Sequence, residues 1–353
     1  MFESLGFENL TAPQAAIWFA LTLGVVFGAL AQITRFCFRR ALVGEDRRAA
    51  AGVWLMALAV AVLGTQAAVD LGWIGFADHR FMASDLPILA ILLGGLMFGA
   101  GMVLTRGCAS RLTVLAASGN LRALLVIVVF AVIAHATMKG VLAPLRGVIG
   151  SVTLPMDSAA LPGAPLVWAA VIATLALTVA LRSGNRAGTL VMAAGIGALV
   201  PLAWVGTGLI LQDDFDPIAM ESLSFTAAAA DALFYGIAAT AVAPSFGAAL
   251  IAATALGALL SSLIRGEFAW TSFDSPRETG RYLGGAALMG MGGVLAGGCT
   301  VGAGLSGIPT LSIAAILTLG AIAAGALLAN RLLNATASAR GAQATTPTAL
   351  PAE

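Results

Sequence analysis

The sequence predicts an all-α polytopic membrane protein with about nine transmembrane helices, short re-entrant helices and an inverted internal repeat. Three observations carry that expectation. Hydrophobic residues make up 59% of the 353 residues and charged residues only 10%, where a soluble domain carries about 25% charged residues. Apolar stretches of roughly 20 residues, the length that spans a bilayer as a helix, recur along the chain. A glycine–cysteine pattern also recurs at matching places within those stretches.

Taken in order, the spans are expected at 15–36, 50–74, 86–105, 120–143, 164–181, 187–211, 235–264, 281–298 and 309–332. The seventh is long and contains Pro244, which removes a backbone donor and predicts a break inside it. The opening "MFESLGFENL" is acidic where a secretory signal needs positive charge, so no cleaved leader is expected. The stretch 334–353, rich in Ala, Thr and Pro, reads as a disordered tail. "SPRE" at 275–278 has the pattern of a capping box with Pro at the first helical position and should start span eight.

Positive charge sets the orientation. Arg35, Arg39, Arg40, Arg47 and Arg48 follow span one, and Arg106, Arg111 and Arg122 follow span three. Arg182 and Arg186 follow span five, Arg265, Arg277 and Arg281 span seven, and Arg331 and Arg340 span nine. With nine spans these fifteen fall on one side, against only Arg80, Lys139 and Arg146 on the other. Cytoplasmic loops carry the excess of Lys and Arg, which predicts an N-terminus outside and a C-terminus in the cytoplasm. A net charge of +1 without a basic run gives no footing for nucleic acid.

The repeat emerges when cysteines are aligned. Gly99, Gly101, Val103, Leu104, Gly107 and Cys108 match Gly290, Gly292, Val294, Leu295, Gly298 and Cys299. Gly28 precedes Cys37 by the same interval, and Gly195 precedes Trp204 likewise in a fourth, cysteine-free copy. These copies end spans one, three, six and eight, which cross in opposite senses in the two halves. The expected organisation is a first half over 1–145, a linking fifth span in 146–186, a second half over 187–333 and the tail. Inverted repeats with broken helices near the midplane are the architecture of secondary transporters.

"GGCTVGAGLSG" at 297–307 contains five glycines, each costing roughly 1 kcal/mol in a helix interior relative to Ala. The run predicts a helix that stops, a bare loop and a short re-entrant segment, with Gly302, Gly304 and Gly307 at the break. Gly290 and Gly292 read instead as close helix packing. Such backbone is tolerated at membrane depth only inside protein or beside water, and its free N–H groups favour an anion. No Lys or Arg lies between Arg281 and Arg331, so backbone dipoles and soft side chains are expected to hold an anion passing Cys299. Singly, a cysteine is a small buried hydrophobe. Three at one repeat position point to function, and the candidate binding residues are Cys37, Cys108, Cys299, Gly107, Gly298, Thr300, Gly302 and Gly304. Neither metal nor cofactor is expected. His135 and Lys139 stand at i, i+4 on span four, either as functional groups or with Lys139 snorkelling to the interface. No Asp or Glu is well placed inside a span to act as a proton relay.

"RFCF" at 35–38, "GC" at 107–108 and "GGCTVGAGLSG" at 297–307 together resemble the YeeE/YedE family of bacterial inner-membrane proteins. The resemblance implies uptake of thiosulfate or a related sulfur species, with one cysteine in each motif, matching Cys37, Cys108 and Cys299, handing the ion along through weak S–H···S contacts. It also implies a small cytoplasmic TusA-like sulfurtransferase as partner. Where the family usually has "GCATG", this chain has "GCASR" at 107–111. The chemistry agrees: thiosulfate has a hard sulfonate end suited to N–H groups and a soft sulfur suited to thiols, which sulfate lacks. The sequence leaves two further readings open. One is a membrane sulfurtransferase that forms a cysteine persulfide, which needs a thiolate supported by Arg106 and Arg111 or by Arg35 and Arg39. The other is a non-transporting scaffold.

Overall fold

The computed structural model describes residues 10–344 apart from 214 and 274, with side chains described to 336. Its elements in chain order are α1 (Ala12–Thr34), α2 (Phe38–Val43), α3 (Arg47–Asp70), a 3₁₀ turn at Arg80–Met82, β1 (Asp85–Leu86), α4 (Ile88–Leu104), α5 (Ala109–Ala117), α6 (Leu121–Lys139), α7 (Ala143–Gly150), β2 (Leu154–Pro155) and α8 (Pro165–Leu181). The second part holds α9 (Ala187–Val205) running into a π-helix at Gly206–Ile210, α10 (Thr226–Ala238), α11 (Phe246–Ile264), α12 (Pro276–Leu295), a π-helix at Thr300–Gly307, a 3₁₀ turn at Ile308–Thr310 and α13 (Ile313–Ala344). β1 and β2 pair antiparallel in a small two-stranded clip between loops.

Eight helical segments among the described residues are long and apolar enough to cross a membrane: Ala12–Val43, Arg47–Asp70, Ile88–Ala117, Leu121–Lys139, Ala187–Ile210, Phe246–Ile264, Pro276–Thr310 and Ile313–Thr336. The expected fifth span is α8, with 17 residues, at the short end of the spanning range. The expected seventh span divides into α10 and α11 around Pro244, with Ser245 capping α11 by accepting the Ala248 N–H at 3.1 Å. Ser275 starts α12 by accepting the Glu278 N–H at 3.3 Å, but the reciprocal half of the capping box is not made. The Glu278 carboxylate instead takes Arg122 at 3.2 Å. α13 continues as helix past 334, where composition predicts a tail, to Ala344, and residues 345–353 lie outside the described residues.

Side chains sort as a bilayer requires. On α8 the buried residues are Ala169, Ala173, Ala176 and Ala180, while Leu166, Val171, Leu175 and Val179 are exposed. Small residues thus face the neighbouring helix and large apolar ones face outward, the reverse of a water-soluble helix. Ala173 and Ala176 pack on Ala59 of α3.

Glycines set the interhelical contacts. A Cβ on Gly28 of α1 would stand 2.1 Å from the Thr254 carbonyl oxygen of α11, and one on Gly99 of α4 would stand 2.1 Å from the Ile322 oxygen of α13. The equivalent distances are 2.2 Å from Gly197 of α9 to the Ala57 oxygen of α3 and 2.8 Å from Gly290 of α12 to the Phe130 oxygen of α6. Helix pairs α1–α11, α3–α9, α4–α13 and α6–α12, with α1–α9 and α4–α12, all pack directly. Exchanging α1, α3, α4, α6 for α9, α11, α12, α13 returns the same set of pairs. Gly290 and Gly292 are packing residues, as the sequence predicts. In α9 the crossing glycine is Gly197 and not Gly195, whose Cβ would meet only Leu30 at 3.2 Å. The fourth copy therefore shifts by two residues, and Gly206, where α9 passes into its π-helix, takes the place expected for Trp204.

The arginine-bearing loops meet at one end. Arg48 donates to the Arg182 carbonyl, Arg122 to that of Ser272, and Gln32 Nε2 reaches Glu267 at 3.3 Å. Asp46 pairs with Arg40, which holds its carboxyl below the usual carboxylate range. At the opposite end, Ser312 Oγ donates to the Phe81 oxygen at 2.7 Å and Met156 N to the Ser84 oxygen at 3.0 Å.

Candidate functional site

All three cysteines are buried and unpaired as disulfides. Each occupies the same local structure. α1 ends on Arg35 at φ 53°, α4 is followed by Arg106 at φ 60°, and α12 by Gly297 at φ 75°. Two residues after each left-handed residue comes a cysteine in extended conformation as N-cap of the next short helix: Cys37 for α2, Cys108 for α5 and Cys299 for the π-helix at 300–307. A left-handed residue reverses the chain and ends the helix, so the repeat spacing has a structural meaning: it sets a thiol at a helix start at membrane depth.

The N-cap side chain normally accepts an N–H two or three residues on. Cys299 Sγ does so, taking the Gly302 N–H at 3.4 Å. The Arg40 and Arg111 amides stand in the same relation to Cys37 and Cys108, facing the sulfur without a completed bond. The thiols also face one another. Cys37 lies against Cys108, and Cys108 lies against the Thr300 hydroxyl and is 3.4 Å from Ser110 Oγ. Thr300 adjoins Cys299 in sequence, and Cys108 is within electrostatic reach of Cys299, so the thiols follow one another in a file from Cys37 through Cys108 to Cys299.

The glycines divide the remaining work. Gly297 makes the break. Gly302, Gly304 and Gly307, expected at the break, lie inside the π-helix at negative φ. Their role is room: a Cβ would meet Ser224 Oγ at 2.9 Å, Leu319 Cδ1 at 3.0 Å and Ala315 Cβ at 2.9 Å respectively. Gly107 and Gly298 precede cysteines and sit under the incoming turn, where a Cβ would meet Leu112 Cδ2 at 3.0 Å and the Ala303 nitrogen at 2.9 Å. The re-entrant segment is tied down at several points: Gln66 Nε2 donates to the Pro309 oxygen at 2.7 Å, Ser306 Oγ to the Leu223 oxygen at 2.8 Å, and Trp204 Nε1 to the Ser306 oxygen at 3.3 Å.

Above this segment, at the end away from the arginine-bearing loops, opens a cavity of about 550 Å³. Gly302 and Ser306 form part of its floor, Trp204 and Phe246 part of its wall, and His79, Arg80, Glu221 and Asp231 supply its titratable groups. Arg80 also lines a pocket of about 100 Å³ with Arg146, Gly297 and Gly298. The expectation that an anion near Cys299 meets no cation is therefore corrected. Arg80, distant in sequence, is within electrostatic reach of Cys299. At the other end of the file Arg111 stands beside Cys37 and Cys108 and reaches Ala31 O and Gln32 Oε1, each at 3.5 Å. His79 accepts the Phe81 N–H on Nδ1 at 3.3 Å and packs edge-on against Trp204; burial and adjacent Arg80 push its pKa down to about 4. His135 stacks on Phe234 at 5.0 Å, and with Lys139 it faces Asp231.

A membrane bundle that buries a file of thiols at helix starts, with a cation beside each end, has the chemistry that a soft anion calls for. Consistent with that class, residues 33–328 match the Sulphur transport family, and the chain belongs to it. The chain is also 27% identical over 347 residues to the "Thiosulfate transporter TsuA" of Spirochaeta thermophila, covering 85% of this chain and 94% of that protein.

Proposed function

We propose that this protein takes up thiosulfate or a closely related sulfur anion across a bacterial inner membrane, with a periplasmic N-terminus and a cytoplasmic C-terminus. The observation that carries the reading is the file of three thiols beneath a cavity that holds Arg80. In this reading the anion enters the cavity, the N-terminus of the π-helix at 300–307 offers N–H groups to its sulfonate, and its terminal sulfur passes from Cys299 to Cys108 to Cys37. Gly302 and Gly304 keep that helix close to its neighbours, Gly107 and Gly298 let the chain turn into each cysteine, and Thr300 bridges two thiols. The chain carries the ion and performs no covalent chemistry on it. Moving a dianion into a cell negative inside costs about 4–5 kcal/mol at ~100 mV. Consumption by a cytoplasmic partner, a TusA-like sulfurtransferase, offsets that cost. Purified protein in liposomes should take up labelled thiosulfate and discriminate against sulfate; equal flux of both overturns the role of the soft end.

The symmetric helix pairing supports two inverted halves, 1–145 and 187–333, joined through α8. A reporter fused at the C-terminus should be active in the cytoplasm and inert in the periplasm; the opposite result removes both the orientation and the inward direction. A persulfide-forming sulfurtransferase is the second reading, favoured by Arg111 beside Cys37 and Cys108. Intact-protein mass spectrometry after turnover should show no added sulfur atom if the anion passes unmodified.

A further inference from the structure

The cavity that receives the anion also contains carboxylates, which the transport reading leaves unused. Arg80 projects into it with its guanidinium 5.0 Å from the centre of the Phe81 ring, and among the described residues this side chain forms no hydrogen bond or ion pair. Glu221 lines the same cavity within electrostatic reach of Arg80, without a direct ion pair. Its backbone is fixed independently of its carboxyl: the Glu221 N–H donates to Thr207 Oγ1 at 3.0 Å, and Thr207 Oγ1 donates to the Glu221 oxygen at 2.8 Å. Thr207 in turn belongs to the π-helix that extends α9.

We propose that this cavity is a proton-gated loading site, in which Glu221 is the resident counter-charge of Arg80 and its protonation releases the guanidinium to the incoming sulfur anion. The proposal rests on the transport reading for the identity of that anion. A dianion approaching Arg80 must also approach Glu221, and a carboxylate repels it nearly as strongly as the guanidinium attracts it. A proton taken from the outer solution onto the Glu221 carboxyl removes the repulsion and leaves the attraction intact.

The surroundings set the direction of the effect. Burial and neighbouring Asp231 push the Glu221 carboxyl up from the usual carboxylate range, and Arg80 opposes them. The other charged groups facing the cavity are Asp78 and His79 on the loop that carries Arg80, and Asp231 of α10, with His135 and Lys139 of α6 behind it; Arg146 shares the adjoining pocket. His79, held down to about 4, stays neutral while Glu221 titrates. As pH falls the cavity therefore gains positive potential at Arg80, and anion affinity rises.

Equilibrium binding of thiosulfate to the detergent-solubilised full chain tests this without needing flux. The wild type should bind roughly tenfold more tightly at about pH 5 than at about pH 8, a range over which thiosulfate remains a dianion. Glu221→Gln should bind tightly at both values, losing the pH dependence while keeping the affinity. Asp231→Asn should move the midpoint to lower pH, because it removes a like charge beside Glu221, and a merely structural role would not shift a midpoint. Arg80→Gln should bind weakly at every pH. A wild type with pH-independent affinity, or a Glu221→Gln protein that keeps the wild-type profile, overturns the gate. Liposomes made in parallel separate the two claims: absent flux with intact pH-dependent binding removes the transport reading and spares the gate.

Discussion

Replacing Cys108 or Cys299 with serine is expected to reduce thiosulfate uptake at least tenfold while leaving a folded protein. The separation between function and stability follows from where these thiols sit. Cys299 is the N-cap of the re-entrant π-helix, and its sulfur accepts the Gly302 N–H at 3.4 Å. Serine is among the preferred N-cap residues, so Cys299→Ser keeps the cap with a shorter, stronger bond and should melt no lower than the wild type. What it removes is a polarizable, weakly donating group able to meet a soft sulfur. Cys299→Ala loses the cap as well and should lower both melting temperature and flux. Cys108 lies against both Cys37 and Thr300, in the middle of the file, so its serine variant should be the most damaging, with Cys37→Ser the most tolerated. Melting curves and uptake measured on the same preparations decide the matter. Fully active, well-folded Cys108→Ser and Cys299→Ser proteins would leave the thiols as packing alone.

The second large effect belongs to the helix crossings. Alanine at Gly28 or Gly99 would bring a Cβ to 2.1 Å from a carbonyl oxygen of the facing helix, and backbone cannot move aside as a flexible side chain can. Each helix pair must separate by more than an ångström along a contact made on both sides: on α11, a Cβ at Gly257 would stand 2.1 Å from the Val25 oxygen. Overpacking of this kind costs typically 1–3 kcal/mol, occasionally more. Gly28→Ala and Gly99→Ala should therefore yield protein that melts markedly lower or aggregates on extraction. Gly280→Ala and Gly320→Ala provide the contrast, since nothing lies within 4 Å of either Cβ. There the better helix propensity of alanine should leave stability unchanged or raise it by up to about 1 kcal/mol. Equal destabilisation at all four positions would show that glycine content, and not close approach, governs the bundle.

Much of this architecture was legible in the sequence because the bilayer reduces the problem to apolar length. The spans, the break near Pro244 and the common position of the cysteines follow from hydropathy and spacing, which are local. The meaning of that spacing was less accessible. Arg35 and Arg106 carry the left-handed residue that glycine supplies at 297, so two of the three helix breaks are concealed under ordinary residues. Gly302, Gly304 and Gly307 look like helix breakers in one dimension, yet they make room in three, and only the positions of Ser224, Leu319 and Ala315 reveal it. The interval to Trp204 points to Gly195, while the crossing with α3 selects Gly197, the glycine that faces Ala57. Arg80 and Glu221 could not be placed from sequence at all. They lie in loops 141 residues apart, and the packing of α3 on α9 helps bring those loops over one cavity. The Arg80 signal was its isolation, a rare cation on the face poor in positive charge.

The pairing of α1 with α11 and of α4 with α13 has a consequence for how the chain is made. The first-made helices have their close partners in the last-made third of the sequence. At about 5–20 residues per second, α1 waits roughly ten seconds or longer in the lipid with its glycine face uncovered before α11 is synthesised. Until α9 is made no native interface between the halves exists to hold it, and its main partner α11 comes later still, so a message truncated before α9 gives a product without its core, and degradation machinery has time to act on it. Two separately encoded halves, made together in one cell, carry all the complementary faces and escape the delay. Assembly of this fold is thus a rendezvous between distant parts of one translation event, and its yield depends on synthesis rate as much as on the stability of the finished bundle.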